Sequence, residues 1–369
     1  MSGRRGLRVA VVGAGVLGAA VAAGLVRRGA EVVLLERDVP GAGTSGTTVA
    51  WINANNKDPG HYFAFNHAAV RAHHALAAGV GDWFVPTGHL EVAAGDEHRE
   101  RLAARVAKLR GRGYPARYVT ADEARALEPD LTLPGEADHV FFPEEAHAHP
   151  TRLLGRFLGE ARDGGARVET GAEVREIASS PTGVTLLLNG GREVSADVAV
   201  TCTGRWTQEL IASVPMLDPR VAGPAVNAYV GVTGPVPARL SRYVTTGGLS
   251  MRPDGGGRIL VHAPDLDATA DPAVEPAPAV AEEMLNRLTG VLAPPLQGAR
   301  VERLAVGRRA IPGDGLTVAG FADDHARVYV VATHSGITLS ALLAEEVAAE
   351  VHGSESVWLG RYRPARFAE

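Results

Sequence analysis

The stretch Val9–Asp38, VAVVGAGVLGAAVAAGLVRRGAEVVLLERD, constrains the fold of this chain more than any other. An apolar run from Val9 to Val12 meets Gly13-Ala14-Gly15-Val16-Leu17-Gly18. A helix of small residues follows, then Gly29, a second apolar run from Val32 to Leu35, and Glu36. Strand, tight turn, helix and second strand in this order form the first half of a doubly wound nucleotide-binding fold. Gly13 permits the turn, and Gly15 lets backbone N–H groups approach a pyrophosphate. Gly18 lets the helix that Val16 and Leu17 open lie close on the sheet, so that phosphates meet its positive end. Glu36 stands where a carboxylate takes both hydroxyls of an adenosine ribose and repels a phosphate there. The expected dinucleotide is therefore FAD or NAD and not NADP.

Arg4, Arg5 and Arg8 ahead of an apolar run also fit a signal peptide or a membrane helix. The glycines within the run and the acid that closes it favour the nucleotide fold, so the expected location is cytoplasmic, with no membrane partner. The 369 residues suffice for two domains, and an apolar content of 46% supports a substantial core. A net charge of −5 offers no electrostatic footprint for nucleic acid. Cys202 is the single cysteine, which excludes an intrachain disulfide, a thiolate metal site and a CxxC redox pair. His67, His73 and His74 invite a metal reading, but no carboxylate or cysteine accompanies them and adjacent histidines point apart on a helix. They are read as surface or cap histidines, and His147 and His149 as part of a turn; no metal is expected.

Beyond Glu36, the loop Arg37 to Ala54 is long and built of small residues. Thr44, Ser45, Thr47 and Thr48 suit a cofactor lying across the backbone, and Arg37 is counted with the cofactor set. Trp51 to Lys57 then offers an aromatic ring, three amides and a cation. Helical spacing is read over 61–79, 97–112, 151–163 and 279–290. Thr120 with Glu123 forms a capping box that opens a short helix ended by Pro129. Residues 166–203 read as a small β-meander returning to a parallel strand, with Cys202 as a buried, inert thiol. Between Val226 and Val261 lie further strands, with a hairpin turn at Arg252 to Arg258. Near the end, an apolar strand runs into Thr333-His334-Ser335-Gly336 and a helix with core spacing. Its free N–H groups suit the negatively charged end of a reduced flavin.

Gly13 to Gly18 with Glu36, the Thr44-Ser45 loop, Cys202-Thr203-Gly204-Arg205-Trp206, Gly307 to Gly315 and His334-Ser335-Gly336 occur in that order. Together they resemble the FAD-dependent D-amino-acid oxidase superfamily, the group of glycine oxidase and sarcosine oxidase, over nearly the whole chain. The resemblance implies an α/β fold: a Rossmann-like FAD-binding domain in discontinuous segments, residues 1–84, 145–212 and 303–369. It also implies a mixed-sheet α+β substrate domain, residues 85–144 and 213–302. It implies oxidation of a C–N bond of an amino acid or secondary amine to an imine that water hydrolyses, with dioxygen as acceptor giving hydrogen peroxide.

The resemblance further extends the cofactor set to Val174, Thr203, Gly204, Trp206, Arg309, His334, Ser335, Gly336, Ile337 and Thr338. Arg309 falls on the family's carboxylate clamp, although Ala310 and Gly313 replace the expected prolines. Family members with covalent FAD carry a cysteine near Gly307, so the glycine here implies non-covalent FAD. Positioning of the substrate asks little of side chains; the candidates are Arg309, Arg252, His262, Asn53 and His334, with Lys57 assisting dioxygen reduction. The polar segment Trp51 to Lys57 points to a larger or more polar amine than glycine, such as a biosynthetic intermediate with an unusual C–N or N–N linkage. The alternatives are a flavin-dependent monooxygenase using NAD(P)H, an NAD-dependent dehydrogenase and a flavin-binding protein without turnover.

Overall fold

The structure, a computed structural model, describes residues 6–78 and 82–368. It divides into two compact units: Met1–Gly46, Pro150–Pro219 and Arg309–Glu369 form the first, and Thr47–His149 and Arg220–Arg308 the second. In chain order, the first unit opens with β1 (Arg8–Val12), α1 (Val16–Arg27) and β2 (Glu31–Leu35). The second then begins with β3 (Trp51–Ile52), α2 (Gly60–Ala77), β4 (Phe84–Val85) and β5 (His89–Ala94). It continues through α3 (Asp96–Gly111), β6 (Arg117–Val119), α4 (Ala121–Leu127), β7 (Ala137–Phe142) and β8 (Ala146–Ala148). The chain returns to the first unit with α5 (Pro150–Asp163), β9 (Arg167–Glu169), β10 (Val174–Ser180) and β11 (Gly183–Leu188). There follow β12 (Glu193–Ala196), β13 (Val198–Thr201) and α6 (Thr207–Leu210). The second unit is completed by β14 (Asn227–Thr233), β15 (Tyr243–Thr245), β16 (Ser250–Gly255), β17 (Arg258–His262), α7 (Pro278–Val291) and β18 (Val301–Arg308). Last in the first unit come β19 (Val318–Phe321), β20 (Val328–Ala332) and α8 (Gly336–Val351).

The first unit is built on a six-stranded sheet ordered β19-β20-β13-β1-β2-β9, parallel except for β19. Its strands are apolar runs rather than alternations because both faces are covered. Every residue of α1 from Val16 to Leu25 is buried, so this helix lies against the sheet and between α5 and α8. The apolar run after Arg8 is thus used up in β1 and α1; Arg4 and Arg5 lie outside the described residues. Each fully buried Val or Leu here contributes about 1.5–3 kcal/mol relative to exposure. The expected meander is present as β10-β11-β12, and its inner residues Val174, Val184, Leu186 and Leu188 share a core with Val12, Leu35 and Val330.

The second unit is built on an eight-stranded mixed sheet, β18-β14-β17-β16-β15-β5-β7-β6, and a three-stranded sheet, β3-β8-β4. One face of the large sheet presents Tyr229, Leu90, Val244, Met251 and Val261 to a core completed by Met284 and Leu288 of α7 and Ala124 of α4. The Thr120–Glu123 capping box that opens α4 is formed in both directions, at 3.2 and 2.7 Å. The opposite face, fixed by the strand register, carries Val230, Val232, Leu260 and a polar row: His262, Ser250, Arg252, Thr245, Tyr243 and His89.

Three readings change. The compact units divide the chain after Gly46, His149, Pro219 and Arg308, where the expected domains divide it after residues 84, 144, 212 and 302; residues 145–149 stay with the second unit because Trp51 and Phe84 pair with His147 and Ala148 across β8. His147 is therefore in the middle of a sheet, not in a turn. His73 is fully buried beside Trp83 and Phe84 and is no surface histidine. The helix expected over 61–79 spans Gly60–Ala77; residue 79 lies outside the described residues. Among the described residues no helix is long and apolar enough to cross a membrane, and no group of His, Cys, Asp or Glu is placed to hold a metal ion.

Candidate functional site

Because β2, β1, β13 and β20 run parallel, their carboxyl ends lie on one edge of the first unit's sheet. Each end leads into a segment the sequence had singled out: Glu36-Arg37, Gly13–Gly18, Thr203-Gly204 and Thr333–Gly336. Such an edge is where open α/β sheets bind ligands. Gly13 has φ +96°, a conformation open to glycine, and donates its N–H to Leu35 O at 2.8 Å. Glu36 accepts from Ala14 N at 2.7 Å through Oε2 and from Asp38 N at 3.0 Å through Oε1, which locks it beside the glycine turn. Ser45 Oγ accepts from Val16 N at 3.0 Å and so holds the Thr44–Gly46 turn over the start of α1.

These residues fit FAD. Neither α1 nor α8 has an acidic residue in its first turn, and neither N-cap side chain bonds its own helix start, so both ends stay positive toward anionic groups. Each Glu36 oxygen keeps acceptor capacity for a ribose hydroxyl. At the start of α8, Thr333 Oγ1 takes the Ser335 N–H at 3.1 Å and lies 2.9 Å from Thr317 Oγ1. Ser335, Ile337 and Thr338 are buried, Gly336 half-buried and His334 exposed. The guanidinium carbons of Arg37 and Arg205 each lie 3.7 Å from the ring centroid of Trp206, and Arg205 Nη1 reaches Thr44 Oγ1 at 3.3 Å. The two cations thus fix an indole at the same edge. Val174 opens β10 inside the core, and Thr203 Oγ1 lies 3.4 Å from Thr207 Oγ1. Cys202 is buried, and burial pushes its thiol up to about 12, which keeps it protonated and inert.

The other candidates, Arg309 apart, belong to the second unit. Thr48 Oγ1 accepts from Ala50 N at 3.1 Å. Asn53 is buried and donates through Nδ2 to Trp51 O at 3.3 Å. Arg252 is fully buried: Nε donates to Val49 O at 2.7 Å, and Nη1 to Pro253 O at 2.7 Å and Asp254 Oδ1 at 2.8 Å. Burial pulls its pKa down while Asp254 opposes the shift. It is a core arginine and no loose hairpin residue. His262 lies 2.9 Å from Asp267 Oδ2 and is thereby tied to the turn after β17. Lys57 is half-buried; burial lowers its pKa, and Tyr62 and Glu145 oppose that. A Cβ at Gly307 would lie 3.0 Å from Thr47 O, so the strand passes too close to the backbone there for a side chain to fit without movement. Arg309 follows β18 directly and is half-buried.

Sequence reasoning missed the hub of this unit, Glu145. It is fully buried and accepts from Trp51 Nε1 at 2.9 Å, Ala54 N at 3.1 Å, Asn55 N at 2.9 Å, Asn55 Nδ2 at 3.0 Å and the Tyr114 hydroxyl at 3.1 Å. Trp51 in turn stacks on Tyr243, with centroids 4.6 Å apart and planes 8° apart, and meets His89 edge-on. No local pattern marks Glu145, since its donors come from two distant segments, Trp51–Asn55 and Tyr114. The polar stretch after Trp51 was the one available signal.

The profile of the FAD dependent oxidoreductase family, DAO, matches residues 8–350. Glycine oxidase of Geobacillus kaustophilus is 27% identical over 362 residues, covering 95% of this chain and 94% of the relative. The crystal structure of glycine oxidase from Geobacillus kaustophilus superposes with a TM-score of 0.84 at 24% identity over 98% of this chain and 99% of that one. L-proline dehydrogenase from P. horikoshii matches with a TM-score of 0.81 at 20% identity over 99% and 98% of the two chains.

Proposed function

The chain belongs to the FAD-dependent oxidoreductase family, with FAD as its cofactor, and from that premise we propose that it oxidises the C–N bond of an amino acid or secondary amine. The observation that carries this reading is the end-to-end similarity to a glycine oxidase. The chemistry that bound FAD supplies is two-electron oxidation of the amine to an imine, which water hydrolyses, with the electrons passed on to dioxygen to give hydrogen peroxide. Glu36 holds the adenosine ribose, the starts of α1 and α8 receive the pyrophosphate and the pyrimidine end, and Arg37, Thr44, Ser45, Thr48, Thr203, Gly204, Trp206 and the backbone at Val174 line the rest. The close approach of Gly307 to Thr47 supports non-covalent attachment.

Arg309 grips the substrate carboxylate, a role suited to a planar, always charged guanidinium. Glu145 sets the conformation of Trp51 to Lys57, which presents Asn53 and Lys57. Burial that disfavours the Lys57 ammonium makes it responsive to negative charge developing nearby, the property wanted for assisting dioxygen reduction. Polar groups at Trp51 to Lys57 favour an amine larger or more polar than glycine, of the kind found in specialised biosynthesis. The apolar run spent on β1 and α1 supports a cytoplasmic enzyme.

Anaerobic mixing of the purified yellow protein with glycine, sarcosine and polar secondary amines tests the reading. Bleaching of the visible flavin absorbance, with recovery and peroxide on readmission of air, is expected. A protein that no amine bleaches but NADPH does would overturn it.

A further inference from the structure

The small sheet of the second unit holds a fully buried histidine with nothing to bond to. His147 is on the central strand β8, directly across from Trp51 of β3 and Val85 of β4. Cross-strand partners point to the same side of a sheet. Trp51 reaches Tyr243 on the polar face of the large sheet, so His147 is turned toward that face too, where Arg252 lies. Neither ring nitrogen of His147 has a hydrogen-bond partner. Burial, then the charge of Arg252, then His149, push its pKa down to about 3, so the ring is neutral with one donor and one acceptor unspent.

Arg252 also has donors to spare. Of a guanidinium's N–H groups, that on Nε and those on Nη1 are taken by Val49 O, Pro253 O and Asp254. Those on Nη2 have no acceptor among the described residues. The two His147 nitrogens are buried polar atoms without a partner, which is costly unless something else satisfies them.

We infer that Arg252 and His147 form a recognition site for a neutral hydrogen-bonding group of the substrate, of carboxamide type, remote from the bond that is oxidised. The inference rests on the reading of the chain as an amine oxidase. Asp254, 2.8 Å from Arg252 Nη1, already balances the guanidinium charge, so a carboxylate would bring an unbalanced negative charge into a buried site. An apolar group would leave Nη2 and both ring nitrogens unsatisfied. A carboxamide offers an oxygen to Nη2 and an N–H to the unprotonated nitrogen of the ring.

The test uses three N-substituted glycines of nearly equal shape, ending in a carboxamide, a carboxylate or an isopropyl group: N-(carbamoylmethyl)glycine, iminodiacetate and N-isobutylglycine. Their dissociation constants from the FAD-loaded enzyme are measured by calorimetry under anaerobic conditions, for wild type, His147→Leu and His147→Asn. The carboxamide is expected to bind about tenfold or more tighter than the other two. His147→Leu is expected to bring the three within about threefold, and His147→Asn, which keeps a donor and an acceptor, to restore part of the preference. Equal binding of the three, tighter binding of iminodiacetate, absence of binding, or a preference that survives His147→Leu each overturns the inference. Flavin reduction by the same amines is read in parallel. Reduction without preference sinks this inference alone, and preference without reduction sinks the amine-oxidase reading alone.

Discussion

A Cβ placed on Gly18 would lie 1.8 Å from the carbonyl oxygen of Gly13. The first turn of α1 therefore rests on the glycine turn with no room for even a methyl group. Both residues set how far the helix start stands from the carboxyl edge of the sheet. Gly18→Ala must push α1 outward, and overpacking of this kind costs about 1–3 kcal/mol. The variant is expected to purify with little flavin and a lowered melting temperature that added FAD partly restores. Full flavin occupancy with an unchanged melting temperature would show that the close approach is not needed.

Glu145 makes a second prediction. Its carboxylate takes five hydrogen bonds from residues of two separate segments, so removing an acceptor orphans several buried donors at once. Glu145→Gln turns an amide N–H toward groups that are themselves donors. A loss of about 2–4 kcal/mol is expected in urea unfolding. Fluorescence of Trp51 should shift as its indole loses its partner. A loss below about 1 kcal/mol would mean that water replaces the carboxylate, and the hub would not order the segment.

The nucleotide-binding half was legible because its signals are local. Gly13, Gly18 and Glu36 work within one βαβ unit, and a strand entering a helix at Thr333–Gly336 leaves the same mark. The boundary of the first unit was not legible: β3 and β4 are two residues each, too short to show a period, and their partner β8 comes some sixty residues or more later. His147 and His73 were misplaced for a related reason. A buried histidine reads in sequence like an exposed one, and only the aromatic and strand neighbours that cover it reveal the difference. Glu145 had no signal of its own at all.

Glu91 gives a pH dependence with a definite sign. Burial pushes its pKa up, but His98, His89 and Arg105 outweigh this and pull it from 4.5 down to about 2. A carboxyl whose folded value is depressed stabilises the fold fully above its unfolded value and loses that contribution as pH falls through the folded one. The window here runs from about 4.5 to about 2, and the contribution above it is about 3 kcal/mol. Denaturant unfolding of wild type and Glu91→Gln should differ by about that much near pH 7, and by less than half of it near pH 3. A gap that does not change with pH would mean that packing, and not ionisation, sets the loss.

Arg309 carries the last prediction, which separates its proposed grip on a carboxylate from a structural role. It is half-buried directly after β18, the strand whose Gly307 is pressed against Thr47 O. A lysine there keeps the charge but gives up the two parallel N–H groups that match a carboxylate. Arg309→Lys is expected to raise KM for an amino acid about 10–100-fold while kcat changes much less. The decarboxylated amine of the same shape, which has nothing for the guanidinium to hold, should show nearly the same kcat/KM in wild type and variant. A structural arginine would behave differently: its loss would lower turnover of both substrates together, with a matching fall in melting temperature. Parallel loss on the two substrates would therefore remove Arg309 from the substrate site.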